Sequence, residues 1–145
     1  MRPALVAGAL YFIVLFAAGF VLGALRVLWL APQLGVLLAL LIELPIMLVL
    51  AWFAALALAR RCEVPPRAGP RLAMGGVMLV LLLAAEFALS VVLPNTSPAE
   101  HLAAYTTASG ALGPAAQLLA AALPLIDAVL RSLRTSPAPS SRPGP

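Results

Sequence analysis

Residues 3–25 carry no charge between Arg2 and Arg26, and further long apolar runs follow after Leu34, after Arg71 and after Pro114. At 1.5 Å of rise per residue, about 20 residues of helix cross a hydrocarbon core of about 30 Å, so each run is long enough to span one. The chain is 63% hydrophobic and 10% charged, outside the soluble globular range. A particle of 15.0 kDa cannot hide that excess, because small domains leave much of their surface exposed. The expected fold is all-α: an integral membrane four-helix bundle over residues 1–134, with a short extracytoplasmic surface helix between spans 3 and 4.

The first span is expected over about residues 4–25. Its apolar run continues past Ala17-Ala18-Gly19, beyond the roughly 7 to 15 residues of a cleaved signal, so it is expected to be retained. Pro32 and Gly35 break the pattern after Trp29-Leu30, and a second span runs over about 34–59, interrupted by Glu43 and Pro45 and stopped by Arg60-Arg61. The segment RRCEVPPRAGPR, residues 60–71, is expected to be a loop in which Pro65-Pro66 and Gly69-Pro70 exclude helix. A third span follows over about 72–93 and contains Glu86. Ser97-Pro98-Ala99-Glu100 then places a serine cap, a proline at the first helical position and a glutamate for a capping box. That signature predicts a surface helix over roughly 98–108, ended by Gly110 and Gly113-Pro114. The fourth span, about 114–133, is alanine-rich and diluted by Gln117, Pro124 and Asp127. Residues 135–145 are mostly serine, proline, arginine and glycine and should be a disordered tail, since they bury too little surface to offset the entropy of ordering.

All nine basic residues are arginine. A nucleic-acid reader carries its cations in a stripe on one folded face, whereas these punctuate apolar runs, which argues against DNA or RNA as a partner. Counted on alternate sides of the spans, Arg2, Arg60, Arg61, Arg67, Arg71, Arg131, Arg134 and Arg142 share one side and Arg26 stands alone on the other. The positive-inside rule then puts both termini in the cytoplasm. The absence of lysine, with abundant alanine and arginine, suggests a GC-rich bacterial genome, and hence a bacterial plasma (inner) membrane.

Ionisable residues inside spans are costly and are functional candidates by default. Glu43 and Glu86 should lie at similar depths, roughly 10 to 14 Å below the outer surface. Arg26 shares a helical face with Gly8, Gly19 and Gly23, small residues expected to pack closely against another helix. Side chains tilt toward their own helix N-terminus, so Arg26 leans down while Glu43, on a helix of opposite direction, leans up. A buried Arg26, Glu43, Glu86 cluster is therefore expected. It reads either as interhelical glue or as a proton or ion site in which two carboxylates share one arginine.

Pro45 and Pro124 should kink their spans by freeing the carbonyls of Leu41 and Ala120. Asp127 and Arg131, spaced i, i+4, read as a local ion pair at the membrane interface. Cys62 has no second cysteine to pair with, and His101 with Glu100 lacks further ligands, so neither a disulfide nor a metal is expected. No phosphate-binding loop, nucleophile elbow or HExxH motif is present, and no cofactor is expected.

The stretch AGFVLGALRVLWLAPQLG, followed by LIELPIML, RLAMGG and LLLAAEF, resembles small bacterial four-span membrane proteins of uncharacterised activity. The resemblance covers most of residues 8–105. It implies Arg26, Glu43, Pro45 and Glu86 as the matching positions, with the alanine-rich last span and the tail as departures, and it carries over no activity. The expected function is that of an accessory or scaffold protein of the plasma membrane, not an enzyme. Its expected partners are the lipid bilayer and either further copies of the chain or a larger membrane complex. The alternative is a small proton- or ion-coupled transporter or channel subunit using Glu43 and Glu86.

Overall fold

A computed structural model of the protein describes residues 1–92 and 108–135. Every regular element among them is helical. Helix α1 (Arg2–Leu25) runs through a π-helical turn, Arg26–Leu30, into the short α2 (Ala31–Leu34). Helices α3 (Val36–Arg61), α4 (Ala68–Val92) and α5 (Ala108–Thr135) complete the fold. Four helical stretches, Arg2–Leu34, Val36–Arg61, Ala68–Leu89 and Ala111–Arg134, are long and apolar enough to cross a membrane. The surface helix expected over 98–108 lies outside the described residues but for its last position, and so does the tail beyond Thr135.

Several boundaries differ from those expected, for reasons of backbone chemistry. Pro32 does not end the first span. Its ring would crowd the Leu28 carbonyl in an α-helix, but the preceding turn is widened: the Ala31 N–H bonds to Arg26 C=O, five residues back. The break falls instead at Gly35, whose φ of +82° is strained for any residue with a Cβ. Gly69-Pro70 does not exclude helix either, because both lie in the first turn of α4, where a proline has no intrahelical donor to lose. Gly110 and Gly113-Pro114 sit within α5 rather than ending a separate helix.

Helix α3 ends in a Schellman arrangement. The Val64 N–H donates to Ala59 C=O at 2.9 Å and the Glu63 N–H to Arg60 C=O at 3.2 Å, with Glu63 in the left-handed region and Val64 buried. This reversal returns the chain to the end of the bundle that holds both Met1 and Thr135, the terminal end.

Around the bundle the helices neighbour one another in the order α1, α4, α5, α3 and back to α1. Toward the terminal end they meet through small residues. Ala4 and Ala7 on α1 and Ala51, Ala55 and Ala59 on α3 are buried at helical spacing, and the adjacent Ala120 and Ala121 on α5 are buried with them. A Cβ on Gly8 would sit 2.7 Å from the Met74 carbonyl oxygen and 2.8 Å from Val77 Cβ, so α1 and α4 touch backbone to backbone. One Cβ on Gly75 would run into the Ala121 carbonyl oxygen, so α4 and α5 do the same. Large apolar side chains such as Val6, Ile13, Phe20, Phe53, Val80 and Leu118 point outward. That outer surface suits hydrocarbon and not water.

Pro124 is fully buried, and the Ala120 carbonyl it deprives of a helical donor is met from across the bundle by the Tyr11 hydroxyl at 3.0 Å. Tyr11→Phe should therefore lower stability by about 1 to 2 kcal/mol, the cost of a buried carbonyl left without a donor. Denaturant titration in detergent micelles measures it. A change within a few tenths would mean that the hydroxyl does not hold α1 to α5.

Candidate functional site

Beyond this tight half the helices leave a partly open cavity of about 320 Å³ between them. It extends from Leu15, Ala51 and Ala120 near the middle of the bundle to Arg26, Leu89 and Gly113 toward the far end. Four polar side chains reach it, one from each side of the bundle: Arg26 at the start of the π-turn, Glu43 from α3, Glu86 from α4 and Gln117 from α5.

Arg26 donates from Nε to Glu43 Oε2 at 2.6 Å, a short charge-assisted contact. Their side chains are 27% and 13% exposed, so the pair is largely withdrawn from the surroundings and can reinforce the α1–α3 contact. Arg26 itself keeps the register of α1, its N–H bonding back to Leu22 C=O, and the widened turn begins only after it.

Glu86 does not join that ion pair. It accepts a hydrogen bond from Gln117 Nε2 at 2.5 Å, and among the described residues only Glu43 lies within ion-pair reach of Arg26. The expected three-residue cluster is thus two polar pairs facing one cavity. Gln117 was legible in the sequence only as a diluting residue of the last span. Its Oε1 is buried and accepts from no donor among the described residues, an uncommon condition for a buried amide oxygen.

Of the three glycines on the Arg26 face, only Gly8 makes a close helix contact. A Cβ on Gly19 would be 3.7 Å from Met47 Cε, ordinary contact, and one on Gly23 would meet nothing within 4 Å. Both line the cavity. The Gly19-x-x-x-Gly23 spacing therefore leaves room between helices within the chain, and Gly75 is the tight contact that the spacing did not reveal. Pro45 faces outward along a shallow apolar groove, away from the cavity.

At the terminal end, Asp127 accepts from Arg131 Nε at 2.9 and 3.0 Å, as the i, i+4 spacing implies. It is not merely a local interfacial pair. Arg71, at the start of α4, places Nη1 3.1 Å from Asp127 Oδ2, and these two side chains are only 5% and 8% exposed. Arg71 also donates to Pro65 C=O at 3.4 Å, tying the reversal between α3 and α4 to the fourth span. Among the described residues no three His, Cys, Asp or Glu side chains are grouped closely enough to hold a metal ion. Compared with known protein families, with curated proteins and with solved structures, the chain finds no match.

Proposed function

We propose that the chain is a multi-pass integral protein of a bacterial plasma membrane, with both termini inside, and that its cavity is the proton- or cation-binding site of a small coupled transporter or channel subunit. The observation that supports this reading is the composition of the cavity wall. Among the described residues, two carboxylates and one guanidinium project between apolar surfaces formed by Leu15, Phe16, Leu40, Met47 and Leu82. When both carboxylates are ionised, those groups carry a net negative charge, which favours a proton or a small cation. Gln117 Oε1 adds an acceptor without a described donor, which a protonated or cationic group can supply.

The packed small-residue half closes the bundle toward the terminal end, which suits a site reached from the opposite side. A pathway through that half would need a rearrangement of the Gly8, Gly75 and Tyr11 contacts. In proteoliposomes loaded with a pH-sensitive dye, an imposed pH gradient should drive proton entry. The paired substitution Glu43→Gln and Glu86→Gln should reduce it about tenfold. Flux no greater than in empty vesicles, or flux undiminished in the double variant, would remove this reading. The accessory role would then stand, and the exposed groove along α3 at Pro45, Val49 and Phe53 is the feature that favours it.

A further inference from the structure

We infer that a second cleft, between α3 and α5 at the terminal end, binds the phosphate of an anionic phospholipid headgroup. Arg60, Arg131 and Arg134 line it together with Trp52, Leu56 and Leu130. At about 610 Å³ it has room for a headgroup and not just a single ion or water.

Charge decides the sign of the ligand. Asp127, the acid of the cleft, is bonded to Arg131 and ion-paired at 3.1 Å with the buried Arg71 behind it, so its charge is met within the protein. Arg60 and Arg134 are exposed, and among the described residues neither has a carboxylate within 4 Å. Guanidinium groups suit phosphate because their planar N–H donors match two of its oxygens at once.

Shape decides the source. Trp52 precedes Arg60 by eight residues of α3, which separates their Cα atoms by about 12 Å along the helix axis. Positive charge at one end and Leu56 and Trp52, one and two turns back along α3, toward the other match the order of groups along a phospholipid, phosphate first and acyl chain after. A free phosphate would use the arginines alone and gain nothing from the apolar wall.

Native mass spectrometry of the detergent-purified, full-length protein, offered phosphatidylglycerol and phosphatidylcholine in equal amounts, tests the inference. Wild type should retain the anionic lipid about tenfold over the zwitterionic one. The double variant Arg60→Gln, Arg134→Gln should bring that ratio close to one. Arg2→Gln with Arg67→Gln removes the same charge from the same end of the bundle but outside the cleft, and should leave the ratio unchanged. Thermal melting in detergent confirms that both double variants remain folded. Equal retention of the two lipids by wild type, or equal loss in both double variants, overturns the site. Displacement of the lipid by inorganic phosphate as readily as by excess phosphatidylglycerol reassigns it to a free anion and overturns the lipid assignment.

Discussion

Asp127→Asn should destabilise the folded protein by about 3 to 5 kcal/mol, because it leaves the Arg71 guanidinium buried without its carboxylate. Arg71 is 4% exposed, and the Pro65 carbonyl at 3.4 Å is a long neutral contact that cannot replace an ion at 3.1 Å. Arg131 loses the same partner, but its side chain is 43% exposed, and an exposed pair contributes about 0 to 1 kcal/mol. The size of the effect thus comes from Arg71. The double variant Arg71→Met, Asp127→Leu separates the pair's own worth from the penalty of stranding one member. Apolar replacement of a buried pair is often neutral, so this variant should unfold much closer to wild type than Asp127→Asn does. Denaturant titration in micelles gives both values. A single variant within about 1 kcal/mol of wild type would mean that Arg71 reaches solvent or another carboxylate.

What could be read from the sequence divides along the range of the interaction. Four spans were legible because apolar runs and arginine punctuation are local properties of the chain, and four helices of that kind are present. The meeting of Arg26 with Glu43 followed from the tilt of side chains on two consecutive, oppositely directed helices. Partners that lie further apart along the chain than these were not legible. Gln117 comes to Glu86 from 31 positions away, and Tyr11 reaches the Ala120 carbonyl across 109. Arg71 was counted with a basic loop because Gly69-Pro70 looked like a turn, although a proline in the first turn of a helix costs no bond. Pro32 is likewise held within helix, because a one-residue widening of the turn accommodates a ring that a regular turn could not.

The same distinction explains why glycine spacing misled. A small-xxx-small pattern says that a close approach is available on one helix and nothing about whether another helix takes it. Around Gly19 and Gly23 none does, and that space forms part of the polar cavity. Where α4 meets α5 the approach is taken at Gly75, next to Gly76, and only the fold distinguishes the two. Gly75 is buried, whereas Gly76 is exposed and a Cβ there would meet nothing within 4 Å.

That neighbouring pair supplies the second large prediction. Gly75→Ala should destabilise by about 3 kcal/mol, since the added methyl meets backbone, not a side chain that can turn away. Besides the Ala121 carbonyl oxygen it would lie 2.9 Å from the carbonyl carbon, so α5 must shift bodily or its helix must bend. Gly76→Ala introduces the same atoms one residue on, into open space. It should be neutral or stabilising by up to about 1 kcal/mol, through the better helix propensity of alanine. The contrast removes composition, helix propensity and hydrophobicity from the comparison and leaves only which face of α4 is in contact. A shift at Gly75 should also be felt at the cavity, because Glu86 lies 11 residues along the same helix, about 16 Å away, and bonds to Gln117 on the helix being displaced. Equal stabilities for the two alanine variants in the same micelles would mean that α4 does not present Gly75 to α5. The pairing that carries Gln117 to Glu86 would lose its basis.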